Sequence, residues 1–346
     1  MAVLATILSL VLGLSVLVGC DTLKTRHEVE SAPANNQKIK RDTKPQNTSQ
    51  NTVSTFAPLP GAQTNPPAAA STQTTTVPAQ PQTQAAPTFL NKELPKVGVI
   101  LGPGGMKAFA HIGVLREMAR ARIPVHAMVG MEWGAVIGGL YSMQGQANDA
   151  EWKSFKLRDS DLPGEGLLSG RLKPISITHL NEFLETAFAN VSVEKSKVEF
   201  ACPAYWMKLD RLGWMAKGSF KDAMRVCVPY PPFYVDNGGV FAAPFSVDEA
   251  AAWLRSRGAN VIVLVNVLAQ GESFSASMVG DQPVENLLWS EIRREMVRAR
   301  PSVNYVISVN TAGHPITDFS GRRALMESGA KAATDVVNKM VSEYGF

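Results

Sequence analysis

The chain has 346 residues, and its 34 Lys and Arg against 30 Asp and Glu give a formal net charge of +4. A charge this small, without a long basic block interleaved with aromatic residues, argues against a nucleic-acid-binding protein. The five histidines and three cysteines lack the spacing of metal motifs, so we expect no metal site and no cofactor.

The N-terminal segment has the character of an export signal. Residues 1–18 are largely apolar and uncharged, and they run into Leu-Val-Gly-Cys ending at Cys20. That string resembles the lipobox of bacterial lipoproteins, whose cysteine becomes the lipidated first residue. We therefore expect a signal peptide over residues 1–20 and a lipid-anchored protein of the bacterial cell envelope that faces the periplasm. The missing positive n-region leaves an uncleaved anchor helix or a misplaced start codon as alternatives.

The segment that follows has a different composition. Residues 21–92 are rich in Asn, Gln, Thr, Ser, Pro and Ala. Such a segment has too few large apolar residues to offset the entropy of ordering it. We predict a disordered polar tether over residues 21–92 and a folded domain over residues 93–346.

The folded domain alternates short apolar runs with stretches of helical apolar spacing. The predicted strands are residues 97–101, 125–129, 261–268 and 305–309, and the predicted helices are residues 107–120, 134–143 and 322–340. Strand and helix in alternation imply a parallel sheet with right-handed crossovers. The sequence therefore predicts an α/β fold.

Two further cysteines, Cys202 and Cys227, lie in this domain. They could pair in an oxidising compartment, but the sequence gives no distance between them. A small, buried, apolar thiol is the commoner state of such a residue. We expect two unpaired core cysteines.

Three motifs carry the chemistry. The first is Gly-Pro-Gly-Gly-Met-Lys at residues 102–107, a glycine-rich loop between strand and helix whose amides can face a developing negative charge. The second is Gly-Met-Glu-Trp-Gly at residues 130–134, a G-x-S-x-G elbow with glutamate at the nucleophile position. The third is Asp236-Asn237-Gly-Gly.

These blocks, in this order, resemble the patatin-like phospholipases from about residue 96 to the C-terminus. The resemblance implies a three-layer α/β/α domain with a mainly parallel sheet and a Ser-Asp dyad. It also implies an oxyanion-hole-like loop formed by Gly104, Gly105, Met106 and Lys107.

The departures from the family pattern bear on function. Glu132 replaces the nucleophilic serine, and Asn237 replaces the aspartate base. An amide cannot take the proton that a general base must take. Pro103 also removes one N–H from the glycine-rich loop.

Three hypotheses follow, in order of preference. In the first, the protein is a catalytically inactive lipid- or protein-binding module at the membrane, with Glu132 lodged in the loop and Lys107 nearby as counter-charge. In the second, Glu132 is a working nucleophile or base of an active lipid acyl hydrolase. In the third, a shifted register makes Asp236 the base, although a slip of one residue turns its side chain to the other face. The expected partners are membrane lipids, through the lipidated N-terminus, and a lipid or protein in the former active-site groove.

Overall fold

The computed structural model describes residues 95–163, 172–269 and 282–346. The predicted signal peptide, Cys20 and the predicted tether lie outside the described residues. The strands are β1 Val97–Leu101, β2 Val125–Gly130, β3 Glu199–Trp206, β4 Arg211–Met215, β5 Val240–Ala242, β6 Val261–Asn266 and β7 Tyr305–Ser308.

Short 3-10 turns and α-helices connect the strands. The α-helices of the described ranges are α1 Ala110–Arg120, α2 Trp133–Gln144, α3 Ala147–Ser154, α4 Asn181–Phe188, α5 Phe220–Cys227, α6 Val247–Ser256, α7 Pro283–Arg298 and α8 Arg322–Tyr344. A 3-10 turn, Gly105–Phe109, leads directly into α1. Within these ranges, no helix combines the length and the apolar character that a membrane crossing needs.

The strands form one sheet in the order β4-β3-β2-β1-β6-β7, with β5 also paired to β3. Four pairs are parallel, namely β3–β2, β2–β1, β1–β6 and β6–β7. Strands β4 and β5 run antiparallel to β3. Every residue of β1 and β6 is buried, as expected for parallel strands covered on both faces. The mainly parallel sheet predicted from the sequence is confirmed.

Helices cover both faces of the sheet, giving three α/β/α layers. Successive side chains of a strand point to opposite faces. Accordingly, Val99 of β1 belongs to the apolar core that includes residues of α1, α2 and α8. Its neighbour Ile100 belongs to a second core, which includes Leu254 of α6 and Met296 of α7. The predicted three-layer fold is confirmed.

Helices α1 and α8 approach so closely that their contact tolerates only glycine. A Cβ atom on Gly113 would lie 1.9 Å from the carbonyl oxygen of Met326, and one on Gly329 would lie 1.9 Å from the carbonyl oxygen of Ala110. Both contacts are far below van der Waals distance. This packing fixes α1, and with it the glycine-rich loop that immediately precedes the helix.

The expectation of two unpaired cysteines is wrong, because Cys202 and Cys227 form a disulfide. Their Cα atoms are 6.0 Å apart, and the bond joins β3 to the end of α5. These two elements pack together through Phe200 and Phe220, whose ring centroids are 5.5 Å apart. The packing of α5 on β3 brings the thiols into range, and that tertiary contact has no signature in the cysteine spacing.

Candidate functional site

The turn between β2 and α2 has the geometry of a nucleophile elbow. At its apex, Glu132 has φ 51° and ψ −126°, a positive-φ conformation that non-glycine residues seldom adopt. Flanking glycines make the turn sterically feasible: a Cβ on Gly134 would lie 2.5 Å from the Leu101 carbonyl oxygen. One on Gly130 would lie 2.5 Å from the Ala135 Cα. The sequence thus preserves the backbone of the elbow and changes the side chain at its apex.

The carboxylate of Glu132 occupies the glycine-rich loop. Its Oε2 atom accepts hydrogen bonds from the backbone N–H groups of Gly104, at 3.1 Å, and Gly105, at 2.9 Å. The side chain is fully buried. Gly105 has φ +54°, and a Cβ there would lie 2.5 Å from the Ile316 carbonyl oxygen, so this close turn requires glycine. Two donors of the predicted oxyanion-hole-like loop are therefore engaged by the chain itself.

The other two residues predicted for the loop direct their amides elsewhere. The Met106 N–H donates to the carbonyl oxygen of Ile316 at 2.6 Å. The Lys107 N–H donates to the carbonyl oxygen of Gly104 at 3.0 Å, within the 3-10 turn. Of the four predicted loop residues, the structure brings the amides of Gly104 and Gly105 to Glu132.

Lys107 does not act as the counter-charge of Glu132. No ion pair joins these two described residues; instead, the Lys107 ammonium donates to the Thr311 hydroxyl at 3.0 Å and to the Thr311 carbonyl at 3.3 Å. Burial, assisted by the nearby positive charge of Arg293, lowers the pKa of Lys107 to about 8. The physical reason is geometric: the lysine extends toward the loop after β7 rather than toward the elbow.

Within the described ranges, Glu132 is consequently a buried carboxyl group without a cationic partner. Burial raises its pKa from 4.5 to about 7, although the amides of Trp133, Gly105 and Gly104 favour the ionised form. Among the described residues, its second oxygen, Oε1, has no hydrogen-bond partner. The desolvation cost therefore outweighs the stabilisation from the amides, and the group changes charge near neutral pH.

Aromatic residues surround the elbow. The Trp133 ring lies 6.4 Å, centroid to centroid, from the rings of both Phe233 and Tyr234. The Tyr234 hydroxyl donates to the Asp161 carbonyl at 3.1 Å. Burial and the charge of Glu132 raise the pKa of Tyr230 and Tyr234, so both phenols stay neutral. These side chains help to exclude water from Glu132.

The two residues considered as bases do not hydrogen-bond to Glu132. The Asn237 side-chain amide donates to the Arg225 carbonyl at 3.2 Å. Asp236 is exposed, and its carboxylate accepts from the Gly239 N–H, which closes the local turn. Neither side chain reaches the apex of the elbow through a hydrogen bond within the described structure.

Some residues of the site were not singled out from the sequence. Thr311 follows β7, and its position at the carboxyl edge of the parallel sheet is the one signal that could have identified it. The covering aromatics come from the run Pro-Tyr-Pro-Pro-Phe-Tyr at residues 229–234, just before the third motif. Within the described ranges, no group of three or more His, Cys, Asp or Glu side chains could hold a metal ion.

The sequence is similar to a described family and to several curated relatives. Residues 99–254 match the family model described as Patatin-like phospholipase. The chain is 27% identical over 187 residues to Lysophospholipase NTE1 of Coccidioides immitis (strain RS), an alignment that covers 49% of this chain and 11% of that protein. It is 22% identical over 144 residues to an uncharacterized NTE family protein of Mycobacterium bovis, covering 40% of this chain and 38% of that protein. The matches thus span well under half the length of these relatives.

Two solved structures align with more than two thirds of the chain. VipD from Legionella pneumophila aligns with a TM-score of 0.46 and 10% identity, covering 72% of this chain and 67% of that chain. The type III effector protein ExoU aligns with a TM-score of 0.34 and 11% identity, covering 71% of this chain and 53% of that chain.

Proposed function

We propose that this chain, which carries a domain of the patatin-like phospholipase family, is a catalytically inactive lipid- or protein-binding module held at the bacterial cell envelope by a lipidated Cys20. One observation carries the proposal. The carboxylate of Glu132 sits on the amides of Gly104 and Gly105, where an acyl hydrolase needs free donors for its oxyanion.

The loss of oxyanion donors has a large energetic consequence. Removing one such donor costs about 10²- to 10³-fold in turnover. Here two amides are already bonded to Glu132, and Pro103 of the same loop has no N–H to contribute. An ester carbonyl at the elbow would have to displace the carboxylate before it could be polarised.

The positions of the two residues considered as bases, Asn237 and Asp236, support the same proposal. Asn237 occupies the place of the dyad aspartate, and its amide is a donor to Arg225. If Glu132 itself attacked an ester, its carboxylate would have to leave the loop amides, and the acyl-carboxylate product would be an anhydride that needs a further base for hydrolysis. Asp236 is exposed and bonded within its own turn, which disfavours it as that base. The active-hydrolase alternative therefore requires a rearranged site.

The disulfide is consistent with a location outside the cytoplasm. Disulfides form and persist in oxidising compartments such as the bacterial periplasm and are rare in the cytosol. The Cys202–Cys227 bond therefore supports a domain that faces the periplasm. The apolar N-terminal segment that ends at Cys20 supports the membrane as the place of action.

The proposal is tested by ester hydrolysis with the purified full chain. Activated short-chain esters and a phospholipid should show no turnover above background for the wild type, Glu132→Gln and Glu132→Ser, because a serine at the elbow would still lack a base. Glu132→Ser combined with Asn237→Asp should recover weak turnover at most, since dyad members are strongly non-additive. An active member of the family, assayed in parallel, is the positive control. Robust wild-type turnover that Glu132→Gln abolishes would show that Glu132 is catalytic and the proposal wrong.

A further inference from the structure

The third motif contains a chemically reactive dipeptide. Asn237 is followed directly by Gly238, and no other Asn-Gly pair occurs in the sequence. The backbone nitrogen that follows an asparagine can attack the side-chain amide of that asparagine and close a five-membered succinimide ring. Glycine favours this reaction, because it has no Cβ to hinder the ring and its backbone adopts many conformations. The sequence therefore places this reactive pair at the position where the family has its aspartate.

The pair lies in a tight turn just before β5. The Asn237 N–H donates to the Val240 carbonyl at 3.0 Å, and the Val240 N–H donates to the Asn237 carbonyl at 3.3 Å. Gly238 and Gly239 form the tip of the turn, with φ +65° and φ +86°. Positive φ at both central residues is typical of a type I′ turn. The turn itself therefore requires a glycine directly after Asn237.

The attacking atom, the Gly238 nitrogen, is open to water. Gly238 is exposed and Asn237 is half-buried. Among the described residues, no acceptor bonds to the Gly238 N–H. A Cβ placed on Gly238 would have no heavy atom within 4 Å beyond its chain neighbours. The succinimide ring can therefore form at the tip of the turn without displacing another part of the described structure.

The Asn237 side chain links this turn to helix α5. Within the described ranges a single hydrogen bond holds that side chain, from its Nδ2 atom to the Arg225 carbonyl at 3.2 Å. This distance is at the long end of the range for such bonds. A carboxylate can only accept, so it cannot bond to a carbonyl oxygen. Loss of the side-chain nitrogen would therefore break the link between the turn and α5.

We propose that Asn237 is a site of spontaneous deamidation, which converts the amide at the family's base position into a carboxylate after synthesis. The Gly238 nitrogen bonds to the Asn237 Cγ atom, and its proton departs with the side-chain NH₂ group as ammonia. Water then opens the succinimide. Cleavage of the bond from Cγ to nitrogen gives aspartate, and cleavage of the bond from the main-chain carbonyl carbon to nitrogen gives isoaspartate. Nothing is oxidised or reduced, and water is the co-reactant.

The two products change the turn in different ways. Aspartate keeps the backbone and supplies the carboxylate that a general base needs, although Glu132 still occupies the nucleophile position. Isoaspartate lengthens the backbone by one carbon atom, so the pairing of this residue with Val240 loses its register. Both products add a negative charge next to Asp236. The inference goes beyond the proposed function, and it holds whether or not the domain hydrolyses esters.

The experiment is peptide mass spectrometry of the folded full chain, aged for days in mildly alkaline buffer. Aliquots are reduced and digested with trypsin, and the peptide of residues 226–255 contains Asn237 and no other Asn or Gln. Its mass should rise by about 1 Da with time, because NH₂ is replaced by OH. The products should co-elute with synthetic peptides that carry aspartate or isoaspartate at position 237. Ageing in H₂¹⁸O should add a heavy oxygen atom, since that oxygen comes from water.

Two controls separate this site from general lability of amides. Asn237→Gln keeps an amide but would need a larger ring, so the peptide of residues 226–255 should keep its mass in that variant. In the same digests, the peptide of residues 299–322 carries Asn304 and Asn310, which are exposed but are followed by tyrosine and threonine, and it should not change. An unchanged wild-type peptide 226–255, equal shifts of the two peptides, or the same shift in Asn237→Gln would overturn the proposal.

Discussion

Replacing Glu132 with glutamine should remove a distinctive pH dependence from the stability of this domain. The folded protein raises the pKa of Glu132 from 4.5 to about 7, chiefly by burial. Between these values the folded state binds more protons than the unfolded state, so stability falls as pH rises. The contribution is fully present below the unfolded value and is lost as pH rises through about 7. The difference between 4.5 and about 7 corresponds to about 3 kcal/mol.

The measurement is urea unfolding of the full chain, followed by tryptophan fluorescence from about pH 4 to about pH 8. The free energy of unfolding of the wild type minus that of Glu132→Gln should fall by about 3 kcal/mol across this range. Subtraction removes groups common to both proteins, including His111, whose pKa burial lowers to about 4. The control Glu327→Gln replaces an exposed glutamate and should run parallel to the wild type. A difference that stays constant, or rises with pH, would show that the loop amides outweigh burial and that the reasoning is wrong.

Two further predictions concern the disulfide and the anchor. A reductant should lower the unfolding free energy of the wild type by about 3 kcal/mol, because the disulfide joins residues with a sequence separation of 25. The reductant should not change the stability of a Cys202→Ala, Cys227→Ala double variant. Equal unfolding midpoints of the wild type with and without reductant would contradict this prediction. Cys20→Ser should release the chain from membrane fractions or block its processing, and unchanged retention would favour an uncleaved anchor helix.

The parallel part of the fold was predictable chiefly because its central strands, β1 and β6, are buried on both faces. The predicted strand at residues 97–101 coincides with β1, and the strands predicted at residues 125–129 and 305–309 each differ from β2 and β7 by one residue. The strand predicted at residues 261–268 ends two residues early, at Asn266, whose side chain accepts a hydrogen bond from the Leu268 N–H and closes a turn. Nearly continuous apolar runs give this signal, and glycine follows the first two of them at Gly102 and Gly130.

The side of the sheet beyond β2, which contains the antiparallel strands β4 and β5, was missed. β3 contains Pro203, which normally argues against a strand, and Pro203 pairs with Trp214 of the edge strand β4. The residues of β4 are partly exposed, so the sequence there has neither a buried run nor a clear alternation. Helix α7 was not predicted either; Leu287 and Val297 are exposed on it, which blurs its amphipathic pattern.

The site was predictable only where motif order fixed it. The position of Glu132 at the elbow follows from the spacing of two glycines, and the hypothesis that its carboxylate lies in the loop agrees with the bonds to Gly104 and Gly105. The partner of Lys107 could not be found this way, because Thr311 lies 204 residues further along the chain. Contacts of that separation depend on how β6 and β7 assemble.

The hydrogen bonds from Gly104 and Gly105 to Glu132 also determine how well other anions can bind to these two amides. A tethered side chain is present at the two amides at an effective concentration of at least millimolar, whatever the amount of protein in solution. In pharmacological terms, the chain carries its own competitive inhibitor at the elbow. Free carboxylates and phosphonates designed to fill an oxyanion hole would have to outcompete it, so ligand screens against this protein should target its other surfaces.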